Sequence, residues 1–253
     1  MRITVLGKSP AVPDADGACS GYLVSEEGDV LVDCGTGVFS KLRSVCDPRA
    51  VKAVLITHVH ADHIMDLLPY SHALSHVYGG GAKPLLLGPP GSTAVLGQIA
   101  AAFGMTGQIE DAFITREYDP DRTVPVAGLE VSFREVPHFI RAWACDLRAQ
   151  NGKRFTFGAD CGPNDEIPRL AKGTDLLMLE ATEGTTPHAK LNVAHRGHLT
   201  AREAGELGRR AQAKRLVLTH FSDMLDGEAV RREGAAGFGN PIELAVAGAS
   251  FEV

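Results

Sequence analysis

The chain has 253 residues, 44% of them apolar and 22% charged, with a formal net charge of −6. That length suits one large α/β core and is short for two, and no apolar run approaches the about 18 residues that a membrane span needs. Basic residues cluster only at Arg209-Arg210, Lys214-Arg215 and Arg231-Arg232, so the acidic balance argues against a long nucleic acid, which is normally gripped by a basic face.

In chain order, the opening MRITVLG reads as a first strand at 3–6. Its apolar part is too short for a signal sequence, and no small-x-small cleavage site follows. Further β-rich runs fall at 30–33, 53–57, 84–87, 129–136, 154–158, 175–179, 215–219 and 242–246. A short strand at 142–148 and the one at 154–158 flank Asn151-Gly152, a dipeptide suited to a tight hairpin. Helical stretches are expected at 62–75, 93–103, 201–213 and 223–233, the third opening on a Thr200…Glu203 capping box. With no repeat and no low-complexity linker, residues 1–253 read as a single domain: two mixed sheets packed together and covered by helices. Cys19, Cys34, Cys46, Cys145 and Cys161 are scattered without a CxxC pair, a pattern that fits reduced thiols in a cytoplasmic protein. Cys161 reads as a small buried side chain.

Three of the strands end in residues suited to metal binding. The run 53–57 leads into His58-Val-His60-Ala-Asp62-His63, the run 154–158 leads to Asp160, and the run 215–219 leads to His220. Carboxyl ends of strands are where α/β folds usually place chemistry. Three histidines and a carboxylate within six residues can present several ligand atoms from one loop. Imidazole and carboxylate suit zinc, with manganese or iron as alternatives.

The H-x-H-x-D-H motif resembles that of the metallo-β-lactamase superfamily, and the rest of the chain follows that pattern in order. A third histidine stands at Glu135-Val-Pro-His138, an Asp in place of the lactamase Cys at Asp160, a last histidine at Leu218-Thr-His220, and an early Asp-x-Gly at Asp33-Cys-Gly35. The resemblance implies an αββα sandwich and two divalent cations. One would be held by His58, His60 and His138 and the other by Asp62, His63 and His220, with Asp160 bridging. The cations would share a hydroxide nucleophile. Asp62 counts among the catalytic residues as well as the ligands.

Two further motifs resemble the ribonuclease Z branch, which includes cyclic-phosphodiester hydrolases. Gly197-His-Leu-Thr200 is similar to its His-x-Thr motif, in which the histidine protonates the leaving oxygen. Leu179-Glu-Ala-Thr182 is similar to its His-Glu-Ala-Thr motif, with Leu179 in place of the histidine. Gly88-Pro-Pro-Gly91 also resembles a loop of that branch. The resemblance implies catalytic roles for His198 as acid and Glu180 as its orienting partner. It also implies a homodimer. Backbone N–H groups at the capped helix start would add positive potential near a phosphate. Ribonuclease Z proteins of the bacterial type carry an RNA-gripping arm between the third histidine and the Asp, but here that interval is only 22 residues. The expectation is therefore a phosphodiesterase for small cyclic phosphodiesters, such as cyclic nucleotides or cyclic sugar phosphates. The alternatives are a thioester or lactone hydrolase, or a tRNA 3′-processing endonuclease. His72, His76, His188 and His195 are read as polar residues without an assigned role. Trp143 and Phe139 are read as core rather than as a stacking surface.

Overall fold

The structure is a computed structural model that describes residues 1–79, 81, 83–187 and 196–253; His188 and His195 lie outside the described residues. The first six strands are β1 (Arg2–Gly7), β2 (Gly21–Ser25), β3 (Asp29–Val32), β4 (Val51–Leu55), β5 (Leu85–Gly88) and β6 (Ile114–Glu117). The next seven are β7 (Val124–Val126), β8 (Leu129–Val136), β9 (Ala142–Ala149), β10 (Arg154–Phe157), β11 (Leu176–Glu180), β12 (Leu216–Thr219) and β13 (Glu243–Leu244). The last, β14 (Ser250–Glu252), returns to pair with β1. Among the described residues these form two seven-stranded sheets, ordered β14-β1-β2-β3-β4-β5-β6 and β13-β12-β11-β10-β9-β8-β7.

Both sheets are mixed. β3 through β6 run parallel, as do β10 through β13, while the remaining pairings are antiparallel. A side chain on a strand alternates faces, so a strand covered on both sides must be apolar at every position. Val30 and Val32 point between the sheets, with Met178 and Val217 opposite. Their neighbours Leu31, Leu177, Leu216 and Leu218 point outward under helices. Helices α1 (Val38–Val45), α2 (Ala61–Ile64), α3 (Leu67–His72), α4 (Ser92–Ala102) and α5 (Gln108–Ala112) follow strands of the first sheet. Helices α6 (Glu166–Leu170), α7 (Ala201–Arg210) and α8 (Gly227–Phe238) follow strands of the second. The result is the expected αββα sandwich. No helix among the described residues is long and apolar enough to cross a membrane, and all five cysteines are free.

The helix expected over 62–75 is instead broken into α2, α3 and a π-helical turn at Ala73–Val77. Its interruption has a cause. The Asp62 carbonyl accepts from Ser20 N, the His63 carbonyl accepts from Cys34 N, and Asp66 N donates to the Cys34 carbonyl. The metal-motif turn is thus tied to the loops after β1 and β3 and cannot continue its own helical ladder. A Cβ on Gly35 would fall 1.8 Å from the Asp62 carbonyl oxygen, which is the physical content of the Asp33-x-Gly35 pattern. Edge strands β6 and β7, the short β2 and helices α1, α5 and α6 were not marked by the sequence pattern.

Helices α7 and α8 touch through their backbones. A Cβ on Gly205 would lie 2.2 Å from the Gly234 carbonyl oxygen, and one on Gly237 would lie 2.2 Å from the Arg202 carbonyl oxygen. Gly205→Ala should therefore lower the unfolding free energy in a denaturant titration by roughly 1–3 kcal/mol, the usual cost of overpacking. In a free helix the same change would be favourable by about 0.5–1 kcal/mol. A stabilised variant would contradict this close approach.

Candidate metal centre

The carboxyl ends of β4, β8, β10, β11 and β12 converge at one edge of the sandwich, and each delivers part of the site. The turn after β4 carries His58, His60, Asp62 and His63, the turn after β8 carries His138, and β10 leads to Asp160. Strand β11 ends on Glu180 and β12 leads to His220. All seven sequence-predicted ligands are brought together. One ligand atom from each of His58, His60 and His138 lies within 4.8 Å of the others, and the same holds for Asp62, His63, Asp160 and His220. Asp160 Oδ2 lies between the groups, 3.9 Å from His58 Nε2, 3.4 Å from His63 Nε2 and 3.5 Å from His220 Nε2. Asp62 Oδ2 is 3.3 Å from His220 Nε2.

The hydrogen bonds decide which face of each imidazole looks inward. His63 Nδ1 donates to Asp33 Oδ2 at 2.7 Å, and His138 Nδ1 donates to the Gly197 carbonyl at 2.7 Å. The Thr57 hydroxyl donates to Asp33 and so accepts from His58 Nδ1 at 3.0 Å. The Thr182 hydroxyl likewise donates to Glu180 Oε2 at 2.6 Å and accepts from His220 Nδ1 at 2.9 Å. In all four rings Nδ1 is held by protein and Nε2 is turned into the cluster, where it is free to take a cation once it carries no proton. His60 instead turns Nδ1 inward, 3.0 Å from His138 Nε2. The orienting roles of Thr57 and Thr182 are visible only in three dimensions.

The donor set fits a metal. His58 Nε2, His63 Nε2 and Asp160 Oδ1 are buried without a hydrogen-bond partner among the described residues, a cost of about 1–3 kcal/mol each unless something compensates it. Divalent cations satisfy lone pairs of this kind. Burial holds the His58 and His138 imidazoles below their ordinary range, in the neutral, ligating form. Burial opposes a charge on His63, but the Asp160 and Asp33 carboxylates outweigh it and hold its proton well above the ordinary range. Metal binding there would displace that proton. The backbone is also strained at the site: Asp33, Ala159 and His220 have φ of 59°, 53° and 51°, a left-handed conformation that costs non-glycine residues about 1 kcal/mol or more each.

His198 stands beside the ligands without needing to be one. Its Nδ1 is 2.8 Å from Glu180 Oε1, and its ring centroid is 5.0 Å from that of His138 and 6.0 Å from that of His220. Glu180 is buried and also accepts from Cys161 N and Thr182 N. Burial opposes the charge on His198, but the Glu180 carboxylate outweighs it and raises the pKa to about 9. Leu179, the departure from the branch motif, packs in the outer core under the helices, so that substitution removes no group from the site. The capping box forms as expected, with Glu203 N donating to Thr200 Oγ1 and Thr200 N donating to Glu203 Oε2. Ala201 N donates to the Gly184 carbonyl. These N–H groups have protein partners, so the helix start contributes its positive end rather than free donors. His72 and His76 are exposed and stack on each other at 4.9 Å. Trp143 is core, but Phe139 is 57% exposed beside the site, contrary to the core reading.

The beta-lactamase superfamily domain matches residues 29–221. The probable metallo-hydrolase YhfI of Bacillus subtilis is 29% identical over the whole of both chains. Its crystal structure superposes with a TM-score of 0.86 at 24% identity over 99% of this chain and 98% of that one. The ribonuclease Z of Methanothermobacter thermautotrophicus is 27% identical over 88% of this chain and 87% of its own. A diphosphatase of the PhnP family shares the fold, with a TM-score of 0.74 at 20% identity, covering 100% of this chain and 97% of that one. The chain belongs to the metallo-β-lactamase superfamily, in its ribonuclease Z-like branch, and is a metallo-hydrolase by family.

Asp33 touches no candidate ligand atom, yet it holds Thr57 through N and Oγ1 and His63 through Nδ1. Asp33→Asn should lower divalent-metal affinity about 10–100-fold, the usual effect of losing such a support, as measured by competition with a chromogenic chelator. Unchanged affinity would show that these orientations do not depend on Asp33.

Proposed function

We propose that this chain is a phosphodiesterase for small cyclic phosphodiesters, working with two divalent cations, zinc first. His58, His60 and His138 would hold one cation, Asp62, His63 and His220 the other, and Asp160 would serve both. When bound, the cations would supply an activated water and take up negative charge at the attacked phosphorus.

The observation that carries this reading is the His198–Glu180 pair. A metal site for a carbonyl substrate with a good leaving group has no use for an additional protonated imidazole. Departure of a sugar alkoxide from phosphorus does need a proton, and a histidine supplies it when its other nitrogen is fixed. Glu180 fixes Nδ1 and keeps the ring charged, leaving Nε2 to hold its proton where a leaving oxygen would sit. Glu180 is itself held by Cys161 N and Thr182, so the acid has little freedom to turn away.

Substrate size follows from what fills the interval between His138 and Asp160. It contains β9, β10 and the turn at Gly152, where φ is 84°; no projecting arm occurs there. The relatives named as a ribonuclease and a diphosphatase support chemistry at phosphorus. The net charge of −6 and this short hairpin favour a small substrate over a long RNA.

His198→Ala should retain its metals and lose about 10²–10⁴ in turnover of an alkyl phosphodiester. It should lose far less with a nitrophenyl ester, whose leaving group needs no proton. The wild-type rate on the alkyl ester should fall as pH rises through the His198 pKa, at or below about 9 once metal charge is present. Because Glu180 raises that pKa, Glu180→Gln should move the alkaline limb to lower pH. Equal losses for both leaving groups, with no shift of the limb, would remove His198 from the role of acid.

A further inference from the structure

Most exposed large apolar side chains lie away from the metal centre, but Phe139 does not. It follows His138 directly, and the residue is 57% exposed. Its centroid lies 5.2 Å from that of His138 and 5.6 Å from that of His198, the latter edge-on at 72°. One side of the ring is seated on Gly197: a Cβ there would lie 2.8–2.9 Å from its Cε2, Cδ2 and Cζ atoms. Any residue but glycine at 197 would push the ring away. The chain therefore keeps a large apolar ring in water, against the general cost of exposing it. The ring is held beside both His138 and the imidazole assigned to the leaving group.

We infer that Phe139 is a specificity-determining residue, a platform on which the nucleobase of a nucleoside cyclic phosphate stacks while its ester oxygen faces His198. This rests on the phosphodiesterase reading and narrows it from cyclic phosphates in general to those that carry a base. In such a molecule one sugar ring separates the ester oxygen from the base, and Phe139 is the immediate neighbour of His198 on the exposed side. A cyclic sugar phosphate has no planar group to lay on the ring. Stacking is tolerant of base identity because every base has a π-face, so the platform selects for a base rather than for one base.

The test compares Phe139→Ala and Phe139→Trp with wild type in the metal-loaded protein. The substrates are adenosine 3′,5′-cyclic phosphate and a cyclic phosphate of ribose without a base. Binding of the corresponding products, adenosine monophosphate and ribose phosphate, is measured by calorimetry. A stacked base contributes roughly 10- to 100-fold in binding. Phe139→Ala should therefore raise the ratio of KM for the base-bearing substrate to that for the base-free one by about tenfold or more, and weaken the nucleotide product in the same proportion. Phe139→Trp should restore both. If the ratio and the product affinities stay as in wild type while both cyclic phosphates are hydrolysed, the stacking role is overturned and the phosphodiesterase reading stands. If wild-type protein hydrolyses neither cyclic phosphate, the underlying reading fails and this inference falls with it.

Discussion

Five imidazoles and two carboxylates are packed at one end of the sandwich with their nitrogens and oxygens facing one another, and three of those buried atoms have no hydrogen-bond partner among the described residues. Protein alone does not satisfy such an arrangement. Its cohesion comes from the opposite side of four of the rings, where Asp33, Thr57, Gly197 and Thr182 hold the outer nitrogens. The rest of the fold serves that requirement. Strand ends from both sheets are brought to one edge, and the motif turn is tied to the loops after β1 and β3 at the expense of its own helix. Left-handed backbone is accepted at Asp33, Ala159 and His220.

The same network joins the candidate metal ligands to His198. Glu180 Oε1 meets His198, while Glu180 Oε2 meets the Thr182 hydroxyl, which in turn meets His220. One buried carboxylate thus sets the orientation of a candidate ligand and of the imidazole proposed as the acid together. This is why the glutamate at 180 matters more than the residue before it. Leu179 faces the helices, and a histidine in its place would also face away from the site.

The seven ligands were legible because their residue types are rare at those spacings and because each follows an apolar strand. The layered fold was legible from continuous apolar runs such as Leu176–Glu180 and Leu216–Thr219. What escaped depends on contacts distant in sequence. The helix after Asp62 breaks because its carbonyls bond to Ser20 and Cys34, which no local pattern encodes. Thr57 gains its role from the Asp33 carboxylate, 24 residues away, which takes its hydroxyl proton so that the oxygen accepts from His58, and Thr182 gains its role from the His220 ring, 38 residues away. Phe139 looks like core in sequence, because an exposed ring is revealed only by the glycine beneath it. Edge strand β6, mostly exposed, lacks the apolar continuity that marks its neighbours.

The central claim is that this metal centre, with a charged imidazole on its leaving-group side, is built for phosphorus rather than carbon. The most direct measurement is kcat/KM on one panel, with zinc- and manganese-loaded protein, of cyclic phosphodiesters against a thioester and a lactone. The account predicts that at least one cyclic phosphodiester exceeds both carbonyl substrates. A thioester or lactone preferred by about tenfold or more, on the order of 1.4 kcal/mol in transition-state stabilisation, over every cyclic phosphate tested would contradict it.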